Sequence, residues 1–375
     1  MSGKKSGSAS PIRVLYDGWP LSCAGAGENQ AALHVLELLD AQPENIEVCL
    51  ALPGEIAQEI SATVHVVVAP ETPTSAGRLR WEQIRLPGLA RRVGADVLHT
   101  TSANLPVFCP APCLVSPVEN LAYAPAGQGM ARRLRESLGT AGLSNAAGLL
   151  WPLDLPAPDH HLPIRRLPPH VHPAFYTAQE MLFSDPFILV PGPLDREEIH
   201  LLAAIWSWVS LGLGEEWALK VSDLSGEGLN QLQAACQSPG LAAESDSSRI
   251  QMLALHTPSQ RAAAFQQAQV VLNISPVRPW SDTLLQALAS GRPLVGVETP
   301  WADARIGPAG YLAAAGDARS LGAAVLTLIT EDSVAERLSQ LARQRAQAWD
   351  QNTGNGQAFS FRQALGHIYH TVAAG

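Results

Sequence analysis

The sequence predicts an α/β protein built from two Rossmann-like, doubly wound parallel-sheet domains. Three observations carry that expectation. Short apolar runs of strand character alternate with stretches of helical periodicity along most of the chain, the pattern left by parallel strands joined through crossover helices. The alternation occurs twice, on either side of residues 151–173, where seven prolines stand in 23 residues (WPLDLPAPDHHLPIRRLPPHVHP). And 375 residues are too many for one ordinary doubly wound domain and comfortable for two.

The first ten residues (MSGKKSGSAS) are small and polar and are expected to form a disordered tail. Residues 12–18 (IRVLYDG) read as a buried strand. A loop with Gly25 and Gly27 follows, and residues 29–40 carry apolar side chains at helical spacing. Further strands are expected at 46–51, 64–68, 97–99 and 113–118. The prolines of 151–173 exclude a long helix there. The hinge is placed just beyond them, which gives an N-terminal domain of residues 11–180.

The second series opens with a strand at 187–190, a helix at 196–211 and a strand at 217–221. Helices at 229–236, 259–267 and 282–290 then alternate with strands at 250–255, 270–274 and 293–297. Ser281 reads as the N-cap of the 282–290 helix and Gly291 as its stop. This domain spans 181–355. A closing helix is expected within 356–375, with Phe359, Phe361 and Tyr369 suited to packing against a domain.

Composition excludes several classes. The net charge is −9 and neither half holds an excess of basic residues, so a nucleic-acid partner is not expected. The longest apolar run, 199–214, is interrupted by His200, Ser207 and Ser210 and is too short and mixed to span a bilayer. Arg132, Arg133 and Arg135 read as a small solvated basic face, so membrane association is not expected either. Five scattered cysteines and a polar start without a secretory leader point to the reduced cytoplasm. Cys109 and Cys113 (CPAPC) read as ordinary thiols, and His160, His161, His170 and His172 as hinge histidines; no metal or cofactor is expected. Of the lysines, only Lys220 lies outside the tail.

Residues 270–315 (VVLNISPVRPWSDTLLQALASGRPLVGVETPWADARIGPAGYLAAA) are the most informative stretch. They are similar to the donor-domain pattern of glycosyltransferase family 4: strand, loop, helix, Gly-x-Pro-Val strand and glycine turn. Ser275 stands at the serine of that family's Pro-Ser pair. FILVPGPLDREE at 187–198 resembles the strand and glycine turn that opens the donor domain, with Gly192 in the turn. LPPHVHPAFY at 167–176 resembles the segment before it, and IRVLYDG with AGAGENQAALHVLELL resembles the start of the acceptor domain. The resemblance implies a GT-B fold, two Rossmann-like domains facing a cleft. It also implies a nucleotide sugar as ligand, with a glycan, lipid or small-molecule acceptor.

The resemblance further implies roles that this sequence fills with unusual residues. The family's two donor-site glutamates fall on Arg278 and Gln286, and its diphosphate-binding Arg-Lys pair on Arg196 and Glu197. The loop glycines become Pro279 and Ser281, with Asp282 at the helix start. On the acceptor side the glycine turn of Gly25 and Gly27 runs into Glu28, and the family's His-Asp pair falls on Glu119 and Asn120. Gln286 cannot take two charge-assisted hydrogen bonds from a ribose, and Arg278 has no acceptor at all. Each lost transition-state contact costs about tenfold in rate per 1.4 kcal/mol. Two functions follow as expectations. One is a decayed donor site on a retained fold, acting as a binding or partner subunit beside an active glycosyltransferase paralogue. The other is an active retaining hexosyltransferase in which Arg196 and Arg278 hold the phosphate.

Overall fold

The computed structural model describes residues 11–22, 26–56, 60–118, 130–144, 146–168, 170–238, 241, 247–255, 257–275, 279–280, 283–351 and 361–375. They fall into two compact units. The first comprises Met1–Pro152, Ala157–Leu167 and Phe359–Gly375; the second comprises Leu153–Pro156 and Pro168–Ala358.

In the first unit, β1 (Ile12–Asp17) leads into the short α1 (Trp19–Ser22) and then α2 (Ala26–Asp40). Strands β2 (Ile46–Leu52) and β3 (His65–Val68) precede α3 (Ser75–Arg80), a π-helical turn at Trp81–Arg85 and α4 (Leu86–Val93). β4 (Val97–Thr100), β5 (Cys113–Val115), α5 (Met130–Leu143), β6 (Ala146–Pro152) and β7 (Ile164–Leu167) complete the series. All seven strands are parallel, in the order β3-β2-β1-β4-β5-β6-β7. Leu15, Cys49, Leu98, Val115 and Leu149 are buried in one core on the sheet, as strands covered by crossover helices require.

Two differences from the sequence reading have physical causes. The proline-rich stretch holds strand residues for which no strand was expected: β6 ends on Pro152 and β7 lies just after Pro163. β7 is the outer strand of its sheet, where a flanking proline removes no ladder bond on the open side. With β7 paired to β6, the compact units divide after Leu167, ahead of the 180/181 boundary read from the sequence. Second, α2 begins at Ala26, which puts Gly27 in its first turn and not in a loop.

The second unit begins with β8 (Phe187–Val190), α6 (Arg196–Val209), β9 (Ala218–Ser222) and α7 (Gly226–Cys236). It continues through β10 (Ile250–Leu253), α8 (Pro258–Gln267), β11 (Val270–Asn273), α9 (Thr283–Ser290) and β12 (Leu294–Val297). α10 (Pro300–Ile306), β13 (Tyr311–Ala313), α11 (Ala318–Thr330) and α12 (Asp332–Gln351) close it. The parallel strand order is β10-β9-β8-β11-β12-β13. Strand residues alternate between two cores. Ile188, Val190, Leu219 and Val221 pack with α6, α7 and α11; Phe187, Leu189 and Ala218 pack with α8, α9 and α12. Helices therefore cover both faces. α9 stops at Gly291, whose φ of 63° suits the left-handed stop expected there. Trp206 is buried in the first of these cores, while Trp208 on the same helix is half-exposed beneath Arg319.

The last helix, α13 (Phe361–Ala374), belongs to the first unit. Leu365, Ile368, Tyr369 and Val372 are buried, and the helix packs against β1, β4 and β7. Tyr369 Oη lies 2.5 Å from Tyr16 Oη and 2.7 Å from His99 Nδ1, while His99 Nε2 bonds Ser116 Oγ. This hydroxyl–imidazole chain is fully buried and joins α13 to β1 and β4.

Candidate functional site

In an open parallel sheet the strand order reverses at one point. The loops leaving the carboxyl ends of the two strands there diverge and open a crevice. In the second unit that point lies between β8 and β11. The loop after β8 carries Gly192 and leads to Arg196; the loop after β11 carries Ser275 and leads to α9 with Gln286. Gly192, Arg196, Ser275 and Gln286, among the donor-side residues singled out from the sequence, thus flank one sheet edge. Of these, Arg278 and Ser281 lie outside the described residues, as does Asp282.

Gly192 is buried, and a Cβ there would stand 2.3 Å from the Ser222 carbonyl oxygen, so only glycine lets this loop run against the end of β9. Its N–H faces Ser222 Oγ at 3.4 Å. Three residues on, α6 starts with a complete capping box. Asp195 Oδ1 accepts from Glu198 N at 2.9 Å, and Glu198 Oε2 accepts from Asp195 N at 2.7 Å. A helix start offers free N–H groups and partial positive charge to an anion. Here Asp195, Glu197 and Glu198 supply carboxylates of the chain's own, against the single exposed Arg196. The capping box thus engages two of the N–H groups at the α6 start, and the carboxylates oppose an anion at the others.

Gln286 is only 7% exposed. Its Oε1 accepts from Arg261 Nε at 3.1 Å, and Arg261 Nη1 meets Asp223 Oδ2 at 2.8 Å. Ser222 Oγ donates to the same Asp223 oxygen at 2.9 Å. Asp223 holds a positive φ of 55°, an uncommon state that aspartate tolerates better than most residues. A polar chain thus runs from Gly192 through Ser222, Asp223 and Arg261 to Gln286. Nothing in the sequence flagged Arg261 or Asp223, because the pairs that join them span 38 and 25 residues and follow no motif. Ser275 is 6% exposed, and its hydroxyl has no hydrogen-bond partner among the described residues.

Other side chains set the edges of this region. Arg305 is buried, with Nε 2.7 Å from Asp154 Oδ2 and Nη2 donating to the Pro279 carbonyl at 2.7 Å. It thereby ties down the end of the loop after β11. Lys220 lies within β9, its ammonium 4.2 Å from the Phe183 ring centre and 4.6 Å from that of Phe187. Burial holds its pKa below the ordinary lysine value. It is held in an aromatic box in mid-strand, not at the carboxyl edge.

The first unit has its own switch point, between β1 and β4. Asp17 ends β1 there, 3% exposed. Its Oδ1 accepts from Trp81 Nε1 at 2.9 Å and from Trp19 N at 3.0 Å, and its Oδ2 lies 3.4 Å from Thr100 Oγ1. Desolvation pushes its pKa up, and the neutral donors offset this in part. Beside it, buried Glu82 takes two bonds of 2.7 Å from Arg135 and one of 3.1 Å from Arg78. Arg135 therefore turns inward, contrary to the solvated basic face read from the sequence; Arg133 is exposed. Of the acceptor-side candidates, Gly25, Glu119 and Asn120 lie outside the described residues, and Gly27 sits in the first turn of α2.

Among the described residues no three His, Cys, Asp or Glu side chains gather to hold a metal ion, and no helix is long and apolar enough to cross a membrane. His160 and His161 stack at 4.5 Å, and His172 Nδ1 accepts from Ala174 N at 3.2 Å. Cys49, Cys109, Cys113 and Cys236 are free thiols.

No protein-family profile matches the chain, and no curated protein matches it by sequence. Solved structures do. A sucrose-phosphate synthase from Thermosynechococcus elongatus superposes with a TM-score of 0.68 at 16% identity, covering 97% of this chain and 99% of that one. WaaG, a glycosyltransferase of lipopolysaccharide biosynthesis, matches with 0.68 at 14%, covering 97% and 100%. HepE from Anabaena, solved with UDP and glucose, matches with 0.66 at 13%, covering 97% and 100%. The fold is GT-B. Identities this low establish the glycosyltransferase-like fold and leave the chemistry to the residues themselves.

Proposed function

We propose that this chain is a family 4-like glycosyltransferase homologue whose nucleotide-sugar site is impaired for transfer, and that it serves as a binding or partner subunit in glycan assembly. The observation that carries this reading is the start of α6. Transfer from a nucleotide sugar builds charge on a departing diphosphate, and preorganised positive charge lowers that barrier. At this helix start the family places an Arg-Lys pair, whereas here Asp195, Glu197 and Glu198 surround one Arg196, and the capping box already engages the N–H groups of Asp195 and Glu198. Gln286 adds to it, because its single neutral acceptor oxygen already accepts from Arg261. The partner in this reading is an active glycosyltransferase paralogue, and the shared ligands are a nucleotide sugar and a glycan, lipid or small-molecule acceptor. HepE's structure with UDP-glucose supports the choice of ligand class.

A second reading, an active retaining hexosyltransferase with an atypical donor site, draws on Arg196 being exposed at the switch-point edge. The test is release of nucleoside diphosphate from UDP-, GDP- and ADP-glucose by the purified chain. The expected result is no release above buffer. Steady release that disappears in Arg196→Ala would replace the first reading with the second.

A further inference from the structure

A guanidinium can only donate, so the Gln286 atom that meets Arg261 Nε at 3.1 Å is necessarily its carbonyl oxygen. The amide nitrogen, with its two N–H donors, is left for another partner. Neither that nitrogen nor Arg261 Nη2 has a hydrogen-bond partner among the described residues, and each residue keeps 7% exposure. Asp223, 2.8 Å from Arg261 Nη1 and steadied by Ser222 Oγ, balances the guanidinium charge. The result is a nearly neutral cluster in which the unspent donors of Gln286 and Arg261 stand beside the Asp223 carboxylate.

We infer that Gln286 and Arg261 form a subsite for a phosphoryl group, one that grips ribose hydroxyls only weakly. The inference rests on the second unit being the ligand-binding unit of the proposed function. A ribose diol is gripped best by a carboxylate, whereas Gln286 offers one neutral oxygen that already accepts from Arg261. Phosphoryl oxygens are acceptors only, and planar guanidinium and amide donors suit their geometry. The start of α6, the other place at this edge where helix geometry favours an anion, is disfavoured for one by the Asp195 and Glu198 carboxylates. The demand for donors therefore falls on the facing side chains of α8 and α9. The Ser275 hydroxyl, unpartnered among the described residues at the same sheet edge, is a further free polar group.

The experiment is calorimetric titration of the full chain with UDP, 2′,3′-dideoxy-UDP and inorganic pyrophosphate. Where a carboxylate accepts both ribose hydroxyls, deleting them weakens binding by about 10- to 100-fold. Here the dideoxy compound should stay within about tenfold of UDP. Gln286→Glu should weaken pyrophosphate by about tenfold or more, since it replaces two donors with a charge. Arg261→Lys, which keeps the charge beside Asp223 but loses the planar fork, should do the same; thermal melting of both variants confirms that they fold. If UDP binds and the dideoxy compound falls more than tenfold below it, the subsite is wrong and the ligand-binding unit stands. If folded variants leave pyrophosphate affinity unchanged, the assignment of these two residues is overturned. If none of the three probes binds, the subsite and the ligand-binding part of the proposed function fail together. Equal binding of pyrophosphate and UDP identifies free phosphate as sufficient, and tighter UDP binding assigns the difference to the base; both agree with the subsite provided the dideoxy compound follows UDP.

Discussion

Single side chains show where polar groups have been admitted to the interior and on what terms. His99 lies between the Tyr369 hydroxyl and Ser116 Oγ, and burial holds its pKa well below 6.5, with nearby His34 adding to the effect. Its folded-state pKa is depressed, so the unfolded chain binds the proton more readily. The stability His99 allows is present above about pH 6.5 and is lost as pH falls below it. His99→Gln, which keeps polar atoms but does not titrate, should flatten the fall in melting temperature between about pH 6.5 and 5. An unchanged slope would assign the acid loss elsewhere. Sequence reading could not see this residue as buried in a network, because its partner Tyr369 is 270 positions away. The same limit hid Arg261. Gln286, by contrast, was legible as a departure from a family pattern, but the loss of its acceptor to Arg261 was not.

At the level of elements, the sequence was most readable where each unit of structure carries its own punctuation. β8 coincides with the apolar run at 187–190, and α6 begins at Arg196 as expected, because proline and glycine close the strand and Asp195 opens the helix. β7 was missed because its signal depends on neighbours: proline beside a strand is tolerated at an edge, and edge position is a property of the sheet. The capping box on α6 makes a separate prediction. Asp195→Ala removes one half of it and should lower stability by about 1 kcal/mol, read from urea unfolding. It also uncovers a helix start, so anion affinity should rise if the carboxylate is what closes that site. A stability loss with no gain in affinity for inorganic phosphate would show that Asp195 is only a cap.

The whole molecule is two doubly wound units, and the order of its segments matters as much as their folds. The chain leaves the first unit after Pro152, returns for Ala157–Leu167, and returns again with Phe359–Gly375. The buried side chains of α13, Phe361, Leu365, Ile368, Tyr369 and Val372, are each worth about 1.5–3 kcal/mol of burial. Together that is on the order of 10 kcal/mol, comparable with the whole stability of an ordinary domain. A chain ending at residue 358 should therefore retain a folded second unit and lose the first, which differential protection from proteolysis would reveal. α13 also fixes the timing of synthesis. Residues 168–358 leave the ribosome with everything their unit needs except the short Leu153–Pro156 segment, already made. The first unit, though most of it emerges before the second, is completed only when α13 arrives to pack on β1, β4 and β7. Of the two units, the one whose sheet is made earlier is thus completed only by a segment made after the other.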